Sequence, residues 1–139
     1  DGWQYLEAAP SDQSTGAKWG GFGTIVGGTS TAIGTGEENT SAIVSAYGNA
    51  EPYENQTEYA AKLCYNLVLE GYSDWFLPSK DTLNLMYQQK GVIGGFSTPS
   101  YWSSSEYDSS SAWYQWFATG GPGDEHKDFY EYVRAVRAF

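Results

Sequence analysis

Basic side chains, cysteine and histidine are scarce in this chain: of 139 residues only seven are Lys or Arg, against seventeen Asp and Glu, with one Cys and one His. The net charge of −10 argues against a nucleic-acid binder, which needs a basic stripe to track phosphates, and against a polyanionic partner such as a sulfated polysaccharide. A lone cysteine forms no internal disulfide. Cys64 falls in a helical pattern with Ala60, Leu63 and Leu67, so it reads as a small buried hydrophobe rather than a reactive thiol. One His and one Cys exclude most Cys/His zinc sites and leave little from which to build a nucleophile–base pair. No apolar run approaches the ~20 residues of a membrane-spanning helix, so membrane insertion is not expected, and no signal peptide is recognisable. The chain starts at Asp1 without Met, which reads as a processed or excised piece of a larger protein displayed outside the cell or on a cell or virion surface.

Catalytic and cofactor motifs are missing too. Gly21-Phe22-Gly23 lacks the GxGxxG spacing, and GxxxxGK(S/T) occurs nowhere. No carboxylate pair has a spacing that marks acid–base work. An enzyme is therefore not expected, and no cofactor is; a structural Ca²⁺ held by loop carboxylates and carbonyls has no motif behind it.

What remains is a single domain over residues 1–139, long enough to bury roughly two thirds of its unfolded surface. Gln4 to Pro10 reads as a short strand stopped by proline, and Ser11 to Gly16 as a turn. Gly20 to Gly36 is an ordered glycine-rich loop pinned by Phe22, Ile25, Val26 and Ile33. The spacing predicts a helix over Ser41 to Tyr47, capped by Asn39 or Thr40 and stopped by Gly48, and then, after a loop over Asn49 to Tyr53, a long helix over Glu54 to Glu70 closed by Gly71. Tyr72 to Leu77 is extended, Ser79 caps a third helix over Lys80 to Lys90, and Val92 to Pro99 is a loop. Strands are expected at Tyr101 to Glu106, at Ser111 to Phe117, where apolar residues alternate, and at Tyr132 to Phe139. Helices first and mostly antiparallel strands at the end make an α+β fold.

The stretch from about 101 to 132 is the candidate recognition region. Tyr and Trp supply contact area at little entropic cost, while Ser, Gly and Asp supply adaptable hydrogen bonds. The candidate ligand-binding residues are Tyr107, Asp108, Ser110, Ser111, Tyr114, Trp116, Ala118, Thr119, Asp124, Glu125, His126, Asp128, Phe129 and Tyr130, expected on one exposed face. By contrast Trp75, Leu77, Leu83, Met86, Trp102, Trp113, Phe117, Val133 and Val136 are expected in the core. Arg134 and Arg137 fall on opposite faces of a strand, so at most one points inward, with Asp74 or Glu106 as its carboxylate.

Asp74-Trp75-Phe76-Leu77-Pro78-Ser79-Lys80, Tyr101-Trp102-Ser103-Ser104-Ser105-Glu106, Ala112-Trp113, Phe117 and Val133-Arg134-Ala135-Val136-Arg137 resemble the Lcl C-terminal domain family, named after a bacterial collagen-like adhesin. Glu7-Ala8-Ala9-Pro10 and Ile33-Gly34-Thr35-Gly36 fit it as well. The W-x-LP-S helix start and the V-R-A-V-R strand are also similar to the C-type-lectin-like fold in its formylglycine-generating-enzyme branch. The resemblance implies two to three helices packed on a small, mostly antiparallel sheet with long irregular loops and adjacent termini. It does not imply the enzyme activity of that branch, which uses paired cysteines, nor calcium-dependent sugar binding: Glu-Pro-Asn, Gln-Pro-Asp and Trp-Asn-Asp are absent, and Glu51-Pro52-Tyr53 is none of these.

Three functions are compatible with it. One is a surface adhesin domain binding host polysaccharide, as a homo-oligomer. Another is the variable protein of a diversity-generating retroelement, displaying a diversified surface to a protein or glycan ligand. Such systems randomise template adenines, so an AAC codon yields Tyr, Asp, Ser, Gly, His, Ala, Thr, Pro or Phe. That palette fits Tyr107 to Ser111, Tyr114, Ala118, Thr119, Gly121 to Asp124, His126 and Asp128 to Tyr130; Trp116, Glu125 and Glu131 fall outside it. The third is a structural or assembly domain with no small ligand.

Overall fold

The computed structural model describes residues 5–21, 23–48 and 58–139. Gln4, Phe22 and the expected loop and helix start over residues 49–57 lie outside them. Strands β1 (Leu6–Ala8) and β2 (Ser14–Ala17) are followed by helices α1 (Gly36–Tyr47), α2 (Ala60–Tyr65), α3 (Lys80–Gln88) and α4 (Lys90–Ile93). Strands β3 (Ser100–Glu106), β4 (Ser111–Trp116), β5 (Pro122–His126), β6 (Glu131–Val133) and β7 (Val136–Ala138) complete the chain. The fold is α+β, with one five-stranded sheet ordered β2-β6-β3-β4-β5 and a separate β1-β7 pair. Every pairing is antiparallel except β3 with β6. The ends meet through two backbone hydrogen bonds, Tyr5 N to Phe139 O at 2.8 Å and Phe139 N to Tyr5 O at 3.0 Å.

β3 organises the interior because both of its faces are covered. Trp102 enters one apolar cluster with Trp19, Ile43, Tyr59, Trp75 and Leu77; Tyr101, its neighbour, enters the other with Phe76, Leu83, Met86, Phe117 and Val136. After the two rings β3 continues as three buried serines, and each hydroxyl has a partner. Ser103 Oγ donates to Trp113 O (2.8 Å), Ser104 Oγ accepts from Asn39 Nδ2 (3.1 Å), and Ser105 Oγ donates to Ser30 O (2.7 Å) while accepting from Lys80 N (2.9 Å). Small hydroxyl side chains thereby tie α1, α3 and the glycine-rich loop to one strand without leaving a buried polar group unmatched.

Several elements differ from the sequence reading, each for a local reason. β2 occupies part of the expected turn because Ser14 and Ala17 find partners in β6. α1 starts at Gly36 rather than Ser41, since the supposed caps face inward: Asn39 brackets the Ser30 backbone (2.9 and 2.8 Å) and Thr40 Oγ1 accepts from Leu77 N (3.0 Å). Among the described residues the expected long helix covers only Ala60–Tyr65. Beyond it Leu69 and Tyr72 exchange both backbone hydrogen bonds around Glu70 (φ 54°) and Gly71 (φ 84°), the positive-φ pair a two-residue hairpin demands. Ser79 caps α3 as expected, accepting from Thr82 N, but that helix ends at Gln88 and α4 runs from Lys90 through Gly91 to Ile93, into the expected loop.

Both terminal arginines are buried. Alternation fails there because the chain leaves β6 at Val133 and enters β7 at Val136, so strand parity does not cross Arg134 and Ala135. Arg134 pairs with Asp12 (2.9 Å) and donates to the carbonyls of Ala9, Gly94 and Gly95; Arg137 pairs with Asp74 (2.8 Å) and Glu7 (3.1 Å). Asp74 is the carboxylate expected, held below the usual carboxylate range by its hydrogen bond from Arg137. Glu106 serves a different cation, Lys127, at 2.6 Å.

Candidate ligand-binding surface

β4 and β5 form a hairpin at the sheet edge, and their register decides which side chains share a face, since directly opposed residues point the same way. Ser111 opposes His126, Trp113 opposes Asp124 and Gln115 opposes Pro122; Ala112 opposes Glu125 and Tyr114 opposes Gly123. The expected single face is therefore two. Asp124 and His126 share the face of Trp113, with Tyr107 edge-on to Trp113 (5.2 Å) and Phe129 edge-on to His126 (5.5 Å). Tyr114, Trp116 and Glu125 occupy the reverse side, where the Trp116 indole donates to Tyr114 Oη at 3.1 Å. There the Tyr114 ring lies so close over Gly123 that a Cβ at that position would come within 2.6 Å of it.

The other candidates are placed as follows. Tyr107, Asp108, Trp116, Ala118, Thr119, Asp124, His126, Phe129 and Tyr130 are exposed, and Ser110, Tyr114, Glu125 and Asp128 are half-buried. Ser111 is buried, which removes its hydroxyl from any contact surface. Asp108 shapes the β3–β4 turn, its Oδ1 accepting from Ser110 N and Ser111 N, both at 2.8 Å. Tyr130 lies beneath Lys18, whose ammonium is 5.4 Å from the ring centroid.

Two residues absent from the sequence list hold this surface in place. Lys127, fully buried, donates to Glu106 (2.6 Å) and to Thr24 O (3.0 Å) and sits 4.9 Å from the Trp19 ring. Glu106 also accepts from Val26 N and Gly27 N (2.7 and 2.9 Å), so one ion pair fastens both the glycine-rich loop and the segment entering β6. The signal for Lys127 was its isolation as the only cation in an acidic stretch. Trp113, expected in the core, is half-buried; α3 covers it only in part, with Lys80 Nζ 4.5 Å from the ring. Glu131, beside the surface, has its pKa pushed up to about 7 by burial and then by the charge of Glu125.

A sequence-family model described as Lcl C-terminal domain matches residues 9–137. The chain belongs to the Lcl C-terminal domain family. No curated protein matches it. Most of the residues that carry the resemblance to this Lcl C-terminal domain are interior. Trp75, Leu77, Tyr101, Trp102, Ala112, Phe117, Val133 and Val136 are buried framework, and Arg134, Arg137 and Glu106 are fixed in ion pairs. Most of the family signature thus describes the scaffold, although Pro10 and Ile33 within it are exposed and Trp113 is half-buried. Among the described residues no helix is long and apolar enough to cross a membrane, and no group of three or more His, Cys, Asp or Glu could hold a metal ion.

Proposed function

We propose that the chain is a non-enzymatic ligand-binding domain with a C-type-lectin-like fold, the variable protein of a diversity-generating retroelement. The observation that carries this reading is the match between codon palette and exposure. Of the positions between Tyr107 and Tyr130 that fit a randomised AAC codon, only Ser111, Ala112 and Phe117 are buried and the rest are exposed or half-buried, whereas Gln115 and Lys127, which that codon cannot yield, are fully enclosed. Tolerance to substitution requires such a division: exposed positions can change within about 0.5 kcal/mol, enclosed ones cannot. Support for a non-catalytic role comes from the two residues best suited to chemistry. His126 is exposed on β5 with its ring against Phe129, and Cys64 is enclosed in α2, its thiol pushed far up by burial.

Sequencing the DNA downstream of the coding region tests the reading. A near-identical copy of the segment encoding residues 101–132, differing only at adenines, is the expected result; its absence sinks the retroelement assignment. Independently, replacing Tyr107, Trp116 and Tyr130 together by Ser leaves Tm within a few degrees.

A further inference from the structure

A cleft of about 290 Å³ opens between the start of α3 and the β4–β5 hairpin, lined by Lys80, Asp81, Asn84, Gln115 and Pro122. Its floor is Gln115, only 2% exposed. Both Nε2 protons of Gln115 are engaged, one on Asn84 Oδ1 (2.8 Å) and one on Gly120 O (3.0 Å), which fixes the amide and turns Oε1 into an acceptor without a hydrogen bond among the described residues. Asn84 in turn has its acceptor occupied and its Nδ2 donors open. Lys80, held over Trp113, and Asp81 supply one more donor and one more acceptor on the walls.

We propose that this cleft is a subsite for a neutral sugar ring. The charges exclude the simpler ions: Asp81 opposes an anion and Lys80 a cation, at the mouth of a domain of net charge −10. The alternation of donors (Lys80, Asn84) and acceptors (Asp81, Gln115) suits neighbouring hydroxyls, each of which donates and accepts at once, whereas a peptide amide offers one group of each kind. The volume accommodates a single pyranose. Four of the five lining residues lie outside the palette positions, so the inference does not rest on the retroelement reading and stands or falls separately from it.

Titration of the isotope-labelled domain with glucose, galactose, mannose and N-acetylglucosamine, each to about 50 mM, checks the proposal by NMR, since a small polar ligand in an open site binds with roughly millimolar Kd. A heparin-derived disaccharide and N-acetylglycinamide serve as anionic and peptide-like arms. At least one neutral sugar should shift the side-chain amides of Gln115 and Asn84 saturably. Asn84→Leu, at an exposed helix position, should weaken that binding about tenfold with the rest of the spectrum unchanged. Asp81→Asn, the second variant, keeps its shape and loses about the same. The proposal is overturned if no neutral sugar moves those amides, if only the disaccharide or N-acetylglycinamide does, or if both folded variants bind the sugar as the parent does.

Discussion

Glu106 and Lys127 show how much depends on two side chains whose separation in sequence gives no hint of contact. Each is nearly or wholly enclosed, and Glu106 also receives two backbone N–H groups of the loop. Glu106→Gln leaves an unpaired buried ammonium and should lower stability by about 3–5 kcal/mol in a denaturant melt, with little dependence on salt because the pair is shielded from solvent. Glu131 presents the opposite case. Its folded-state pKa of about 7 lies above the ordinary 4.5, so its contribution to stability is complete below the unfolded value and is lost as pH rises through 7. Glu131→Gln should therefore leave Tm unchanged at pH 4 and raise it at pH 8. The gain is on the order of 1 kcal/mol, since the carboxyl is only half-enclosed and water screens its repulsion.

Elements tell which parts of the fold local sequence can specify. Ser79 as a helix cap, the alternation in Ser111 to Phe117 and the Trp102 strand were all legible, because each signal lies within a few residues of its effect. Thr40 and Asn39 misled because a side chain that caps helices also serves to bind a distant backbone, and only the tertiary structure chooses between them. Glu70-Gly71 was read as a helix stop when it was the turn of a hairpin. The binding surface was legible as composition but not as geometry, since one face or two depends on the β4–β5 register. Trp113 illustrates the consequence. Being half-buried, Trp113→Ala should cost only about 1–2 kcal/mol, against about 3–5 for the enclosed Trp102→Ala; equal losses in urea melts would return Trp113 to the core.

For the whole molecule, charge sets the partners. Asp108, Asp124, Glu125, Asp128 and Glu131 surround the hairpin, and the only Lys or Arg between residues 107 and 131, Lys127, is neutralised inside. The domain should pass through a heparin column even at low salt, where a sulfated-glycan binder would be retained and released as salt rises. The paired ends carry a mechanical consequence. Tyr5 and Phe139 leave from one point, and β1 and β7 run antiparallel away from it. Tension applied between the ends meets the hydrogen bonds of that pair singly, from Tyr5–Phe139 inward to Ala8–Val136, like a zip opened from its end. The β1–β7 pair is therefore the first structure to yield under load, while β4 and β5, which carry the surface, hang on a sheet that the pull does not reach until that seam has parted.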